Sequence, residues 1–416
     1  MSERTPLLHQ QPTKKKSVLT WLAGLVILGL VVGGVYLTTH SNQSGEIKHD
    51  DVSLDKFPEA DSDLNNLKMY SLHVKPTIVN QFNVDCKGLV ACNVTVTFQD
   101  IPEIEVDYLV QSSESDVFEY LELYETLEQN TFTVHVKSPS DWQFYHDRYH
   151  LDKRHHFKLQ VLAHVIVPKT FFPNFDMDAD LGLLDWHGIY NHMDQFHAAV
   201  HVGAMKIKNI KTKSFNMETN ASAIQVENIS ADKDIIIVSD VGSIHLENAL
   251  ARNVELRAQA GEIYGKNVVA NEDIVLKTDA GKLVFYGGIT KGAKSGSVNI
   301  STNAGEVSGS IVGYKTFNSN LNVGSIDVEL KPLVDFDSKT TLTSDAGTIK
   351  AKMFDFSGTY DLQSKMGTVK VTGDKVVRTK TTGGMFGSHK TGTVEGKQSS
   401  TVVASTNMGT ISLDFQ

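Results

Sequence analysis

The side chains best suited to chemistry are histidines, and nine of the sixteen in this chain lie between residues 146 and 201. Histidines near aspartates can bind a transition metal or exchange protons, and an imidazole changes its charge at about pH 6.5. The spacings match no H-E-x-x-H scheme, and a metal needs several ligands that converge on one point. We therefore predict no metal ligand and no cofactor, and we favour surface and domain-junction histidines over a pH-sensitive surface. The nine are His146, His150, His155, His156, His164, His187, His192, His197 and His201.

Three aspartates, Asp240, Asp279 and Asp345, recur at one position of a repeat that occupies the second half of the chain. A ladder of carboxylates in register could bind calcium through its oxygen atoms. Other copies of the repeat place Gln259 and Asn303 at this position, so the position does not require charge. The side chains of Asp and Asn both stabilise turns, which explains their recurrence, and the calcium-binding nonapeptide G-G-x-G-x-D is absent.

A basic insertion at residues 372–400 is the nearest candidate for catalysis on an acidic polysaccharide. Such catalysis needs basic and acidic side chains on one face, and the insertion has no partner carboxylates at an informative spacing. Its Gly-, Thr- and Lys-rich composition is typical of a mobile loop. The G-x-S-x-G, P-loop and Rossmann motifs are also absent, so we predict no enzyme and keep a polysaccharide-active β-helix enzyme as the alternative. The basic residues are Lys375, Arg378, Lys380, His389, Lys390 and Lys397.

The two cysteines, Cys86 and Cys92, lie six residues apart in C-K-G-L-V-A-C. In an oxidising compartment so close a pair forms one local disulfide, and two thiols alone are too few for structural zinc. Five N-x-S/T sequons are acceptors for N-glycosylation if this part of the chain enters the lumen. They are Asn42, Asn93, Asn220, Asn228 and Asn299.

Residues 18–37 form an uncharged apolar run that follows three lysines, Lys14, Lys15 and Lys16. As a helix, twenty residues would extend about 30 Å, the thickness of the hydrocarbon core of a bilayer. The run is longer than the apolar part of a cleaved signal peptide, so we predict a type II signal anchor. Since positive residues stay cytosolic, the tail at residues 1–17 faces the cytosol and the rest faces the lumen or the exterior. Gly29 and Gly33 form a G-x-x-x-G pattern, which suggests a homodimer within the membrane.

In the tail, Glu3 followed by Leu7 and Leu8 resembles the acidic dileucine sorting signal that clathrin adaptors bind. This resemblance implies a vacuolar or lysosomal membrane, with the C-terminus in the lumen. The plasma membrane, with an extracellular C-terminus, is the alternative. The net charge of −10 argues against nucleic acid as a partner, because binding to phosphates depends on Lys and Arg.

Residues 38–66 are polar and acidic, which is typical of a flexible stalk. Residues 67–166 contain short runs of alternating apolar residues separated by turn-forming segments. This spacing predicts a small antiparallel β domain between the stalk and the repeats.

Residues 167–416 repeat a unit of about twenty residues, in which an alternating strand is followed by a glycine and a second strand. A single unit cannot bury its apolar face, whereas stacked units share one core, so a period near twenty predicts a parallel β-solenoid. The fold class is therefore all-β. Glycine at a fixed position indicates a tight corner. The corner glycines are Gly182, Gly203, Gly242, Gly261, Gly281, Gly305, Gly324, Gly347, Gly367, Gly392 and Gly409.

The corner pattern D/N-x-G-x-I/V, as in Asp240, Gly242 and Ile244, resembles the repeats of the putative adhesin family. Residues 165–169 are similar to the family's lead-in strand, and the resemblance covers about residues 160–416. It implies a β-solenoid and no assigned activity. We therefore expect an adhesin-like structural or interaction module whose partner is a glycan, a luminal protein or a second copy of the chain.

Overall fold

The computed structural model describes residues 35–36, 48–50, 64, 66–114, 116–140, 158–171, 173–189, 192–290, 296–334 and 336–416. In these ranges the regular structure is strand, apart from short 3-10 turns at Pro76–Ile78 and Asp116–Glu119. The all-β prediction is therefore confirmed. The first eleven strands are β1 (Val35–Tyr36), β2 (Lys48–Asp50), β3 (Asn66–Val74), β4 (Gln81–Gln99), β5 (Ile104–Ser112), β6 (Leu121–Glu128), β7 (Thr131–Lys137), β8 (Leu159–Pro168), β9 (Asn174–His187), β10 (His192–Ala231) and β11 (Asp234–Val241). The rest are β12 (Ile244–Ala260), β13 (Ile263–Ile289), β14 (Ser297–Tyr314), β15 (Thr316–Pro332), β16 (Lys339–Met353), β17 (Gly358–Met366), β18 (Val369–Thr372), β19 (Val376–Gly383), β20 (Ser388–Val394), β21 (Ser400–Met408) and β22 (Ile411–Phe415).

Most strands belong to coils that stack in parallel and in register. Each coil has two strand segments joined at a corner, and β13, β14, β15 and β16 pair with their neighbours over almost their full length. Side chains alternate between a buried and a solvent-facing side in both segments. The buried side chains form one continuous core from Leu72 to Phe415. These features are those of a parallel β-solenoid.

Glycine occupies the corner because the coils approach each other too closely there for a side chain. Gly261 and Gly281 have φ values of 143° and 150°, which favour glycine. A Cβ atom added to Gly281 would lie 1.8 Å from the carbonyl oxygen of Gly261. Gly392 is an exception to the predicted series, because it lies in β20, which pairs antiparallel with β17. Its assignment as a corner is wrong. The T-G-T-V sequence is compatible both with a corner of a coil and with the middle of a hairpin strand.

A second corner of the coils carries a ladder of four asparagines in the left-handed region, with φ between 53° and 59°. From the second asparagine onward, each side-chain amide donates to the side-chain oxygen of the asparagine one coil earlier, over 2.9 to 3.0 Å. Asparagine tolerates this conformation better than most residues and satisfies its own polar atoms in the stack. The ladder consists of Asn209, Asn228, Asn248 and Asn267.

The solenoid begins earlier in the chain than the sequence predicts. β4 pairs in parallel with β9 on one side and with β7 and β8 on the other, so it forms a coil between them. The predicted boundary at residues 166–167 therefore does not separate two cores. The antiparallel pairs in this region, β3 with β5, β5 with β8, and β6 with β7, continue the sheet at the N-terminal end of the stack.

The C-terminal end has the same kind of inserted coil. β21 and β22 lie between β16 on one side and β17 and β18 on the other, so the last coil in sequence is the second to last in space. β20 pairs antiparallel with β17, and β19 pairs antiparallel with β20. The predicted mobile loop at residues 372–400 is therefore largely a β-hairpin, and that prediction is wrong. We call residues 358–416 the C-terminal cap.

The predicted membrane anchor and stalk lie mostly outside the described residues. No helix within the described ranges is long and apolar enough to cross a membrane. Val35 and Tyr36, at the end of the predicted helix, pair as a short strand with β6. Lys48–Asp50, within the predicted stalk, pair antiparallel with β3. These five residues therefore belong to the sheet instead of to a helix or a stalk.

Candidate binding groove on the C-terminal cap

Four of the nine clustered histidines face an aspartate across a short distance. His187 and His197 lie 3.1 Å and 2.7 Å from a carboxylate oxygen, and His192 and His201 lie 3.8 Å away. No group of three or more metal-ligating side chains converges among the described residues. These four contacts do not share a centre, so the arrangement is a series of separate histidine–aspartate contacts. The histidines at positions 146, 150, 155 and 156 lie outside the described residues.

The fold changes the titration of His197. Its Nδ1 atom lies 2.7 Å from Oδ1 of Asp176, one coil away, and its side chain is 39% exposed. The hydrogen bond to Asp176 and the nearby charges of Asp178 and Glu218 raise the pKa of His197, against partial desolvation. Protonation of this histidine therefore strengthens a contact between two coils.

The recurring corner acids bind neighbouring amides. The side-chain amide of Gln259 donates to Asp240 over 2.5 Å, and that of Asn303 donates to Asp279 over 3.0 Å. These bonds explain why the corner accepts either an acid or an amide, because alternating donors and acceptors satisfy each other along the stack. Asn407 and Asp345 form the same contact over 2.9 Å.

The four described sequon asparagines lie on strands with partly exposed side chains. Asn93, Asn220 and Asn299 point away from the core. Asn228 donates its amide to Asn209 over 3.0 Å as part of the asparagine ladder. Glycosylation at these positions stays a prediction. Asn42, the sorting motif of Glu3, Leu7 and Leu8, and the helix-packing pair Gly29 and Gly33 lie outside the described residues.

The predicted disulfide joins Cys86 to Cys92 and confirms the sequence-based pairing. Both cysteines lie in β4 and are buried, and their Cα atoms are 6.4 Å apart. Cys92 occupies the corner position beside Gly182 of the next coil. Between the cysteines the register shifts against β9, because β4 has three extra residues there. The bridge therefore closes an enlarged corner.

The C-terminal cap carries an open groove with a volume of about 470 Å³. Its outer face is built from β19, β20, β17 and β21, which pair side by side in this order. One row across these strands runs from Lys380 through Thr391 and Asp361 to Val403. The next row contains Arg378, Thr393, Thr359 and Thr401. Two cations therefore stand at one side of a surface rich in threonine hydroxyls.

The electrostatics of this groove favour anions. Arg378 and Lys380 are both exposed, and neither forms an ion pair with another described residue. Among the residues that line the groove, Asp361 alone carries a carboxylate, and its Oδ1 lies 2.8 Å from Nε2 of His389. A guanidinium and an ammonium with unused donors can bind carboxylate or sulfate groups, while hydroxyls donate to and accept from other hydroxyls.

A buried tyrosine holds β19 in place beneath the groove. The Tyr360 hydroxyl donates to the carbonyl oxygen of Arg378 over 3.3 Å and lies 2.6 Å from the hydroxyl of Thr379. A Cβ atom at Gly392 would lie 2.2 Å from this hydroxyl, so glycine allows the ring to cross β20. The backbone beside Arg378 is thus fixed by a side chain from the core, which pre-organises the groove.

Sequence reasoning found the cations of this groove but missed its threonines. The alternation of Thr391 and Thr393 could have predicted two of these threonines on one surface, since residues two apart share a face of a strand. The contributions of Thr359 and Thr401 come from strands 42 residues apart in sequence, and their pairing depends on the inserted coil.

The fold and its groove define a capped β-solenoid with a basic, hydroxyl-lined surface at one end. No protein-family model and no curated protein matches the chain. Two solved structures are similar to it: a "putative cell adhesion protein" from Clostridium sporogenes and a "putative adhesin" from Bacteroides fragilis. The first has 8% identity and a TM-score of 0.17, and the match covers 84% of this chain and 100% of that one. The second has 12% identity and a TM-score of 0.23, with coverage of 84% and 97%. Similarity this low supports no conclusion about the family, the function or the ligand of this chain.

Proposed function

We propose that this protein is a membrane-anchored, adhesin-like interaction module whose C-terminal cap binds an anionic glycan. The groove carries this proposal, because it places Arg378 and Lys380 beside threonine hydroxyls on one open surface. Carboxylates of such a ligand would pair with the cations, and its hydroxyls would replace water on the threonines.

The anchor and its location form part of the same proposal. The apolar run at residues 18–37 and the three preceding lysines support a single-pass anchor with a cytosolic N-terminus. The dileucine motif supports delivery by a clathrin adaptor to the vacuolar or lysosomal membrane. The sequons and the disulfide suit a luminal solenoid, and the G-x-x-x-G pattern supports pairing of two copies within the membrane.

A polyuronate is the direct probe of the groove. We expect the full chain to bind polygalacturonate but not neutral dextran, with an affinity that falls as salt rises. The variant Arg378→Gln/Lys380→Gln should lose roughly tenfold or more in affinity, at about 1 kcal/mol for each exposed charge contact. Calorimetry or biolayer interferometry measures both values.

The matched control is Lys277→Gln/Lys282→Gln, which removes two positive charges from the middle coils and should leave binding unchanged. Equal losses in both variants would mean that net charge, and not the groove, attracts the polymer. Cleavage of polygalacturonate that disappears in Asp361→Asn would replace the proposal with the polysaccharide-active enzyme.

A further inference from the structure

The tip of the β19–β20 hairpin exposes two large apolar side chains. Met385 is 91% exposed and Phe386 is 73% exposed, in a short connection between Gly383 and Ser388. The tip is held in position, because the backbone nitrogen of Gly367 donates to the carbonyl oxygen of Phe386 over 3.0 Å. An ordered tip of this kind keeps its apolar side chains in water at a cost in free energy, which indicates a partner surface.

Further exposed apolar side chains lie in register beside the tip. Met366, next to Gly367, pairs with Met408 of the inserted coil, and the two are 51% and 49% exposed. The row continues through Ala346 to Val323, which is 57% exposed. Together with the tip, these side chains form a continuous row along one corner of the solenoid. We call this row, from Val323 through Met408 and Met366 to the tip, the apolar ridge.

The surroundings of the apolar ridge are basic. The C-terminal cap contains seven Lys or Arg residues and four Asp or Glu residues, whereas the whole chain has a net charge of −10. Lys365 precedes Met366 directly and is exposed. Lys380 and Arg378 lie in β19, at increasing distance from the tip along the strand. A convex apolar tip surrounded by cations complements an anionic lipid surface, because the side chains enter the acyl boundary while the cations meet the headgroups.

We propose that the hairpin tip and the basic C-terminal cap bind an anionic bilayer. Met385 and Phe386 insert at the interface, and Lys365, Lys380 and Arg378 contact the lipid headgroups. The cap is the end of the stack opposite to β6, the strand that pairs with β1. Combined with the proposed anchor, this binding would join the protein to a second bilayer.

The test measures capture of added vesicles by the full chain. The chain is held in phosphatidylcholine nanodiscs, which occupy residues 18–37, and is fixed to a sensor by an N-terminal tag. Vesicles of phosphatidylcholine, with or without phosphatidylserine, then flow over it. We expect capture of the phosphatidylserine vesicles alone, and a loss of about tenfold or more in Met385→Ser/Phe386→Ser, because two apolar side chains no longer insert.

The control is Val334→Ser/Phe336→Ser, which removes two exposed apolar side chains outside the cap and should keep full capture. Capture that is unchanged in the tip variant, or equal for both vesicle types, would overturn the proposal. Loss of self-association in the tip variant, without loss of vesicle capture, would identify the ridge as a protein contact instead. Lys380 and Arg378 serve both proposals, but the tip variant tests this one separately from the glycan proposal, because Met385 and Phe386 lie outside the groove.

Discussion

At the scale of single residues, substitutions of the corner glycines should destabilise the stack of coils strongly. We expect Gly281→Ala to lower the free energy of unfolding by about 3 kcal/mol, because the new Cβ meets a carbonyl oxygen at 1.8 Å and φ is 150°. Urea unfolding followed by circular dichroism measures this loss. The control is Gly384→Ala in the hairpin connection, where no atom lies within 4 Å of the added Cβ, and the change there should be small.

His197 should make the solenoid more stable in acid. Its raised pKa means that the protonated form favours the fold, so the stabilisation is complete below the unfolded pKa of about 6.5 and disappears as the pH rises through the folded pKa. The carboxylates that face it are Asp176 and Asp178 on β9 and Glu218 on β10. Because the pair is exposed, the gain is small, in the range of about 0.2–1 kcal/mol.

The corresponding variant is His197→Gln, which should cost more stability at about pH 5 than at about pH 8.5. Urea midpoints at both values measure the difference. In an Asp176→Asn background the same substitution should show a weaker dependence on pH, because the main acceptor is gone. An equal cost at both values would show that the imidazole contributes by packing alone.

At the scale of elements, the repeat could be predicted because its cause is local. Each coil alternates apolar and polar residues and needs one glycine, so period and corner appear directly in the sequence. The coil of β4 does not show this pattern, because Cys92 occupies the corner position where most other coils have glycine. Its corner has three extra residues closed by the disulfide, and this enlargement hides the period.

The order of the coils could not be predicted, because strand pairing across long sequence separations leaves no local pattern. β4 lies between two coils built from later parts of the sequence, and the pair β21–β22 lies between two coils built from earlier parts. Parallel strands with similar alternation can pair equally well with several partners, and specific contacts decide among them. Inside the N-terminal coils, stacked rings of Phe82, Phe175, Phe196 and Phe215 provide such contacts.

At the scale of the whole molecule, the solenoid must end without offering an edge to another copy. A stack of parallel strands has unpaired backbone groups at both ends, which can pair with other chains. At the C-terminal end, β20 covers the edge of β17 and β19 covers β20. β19 is exposed along its length and carries Arg378 and Lys380, and charged side chains on an edge strand oppose further pairing.

Removal of this hairpin should therefore cause self-association. The backbone nitrogen of Glu395 donates to the carbonyl oxygen of Lys375 over 2.9 Å, so a short Gly/Ser linker can replace residues 376–394. We expect the shortened chain to form larger assemblies than the parent chain as its concentration rises, because the edge of β17 becomes available. Light scattering after size-exclusion chromatography measures the mass of both chains in the same detergent. Adding Thr359→Lys/Gln363→Lys to the shortened chain should reverse the effect, because lysines on the exposed strand oppose edge pairing. If the shortened chain keeps the mass of its parent, the hairpin serves ligand binding without protecting the edge.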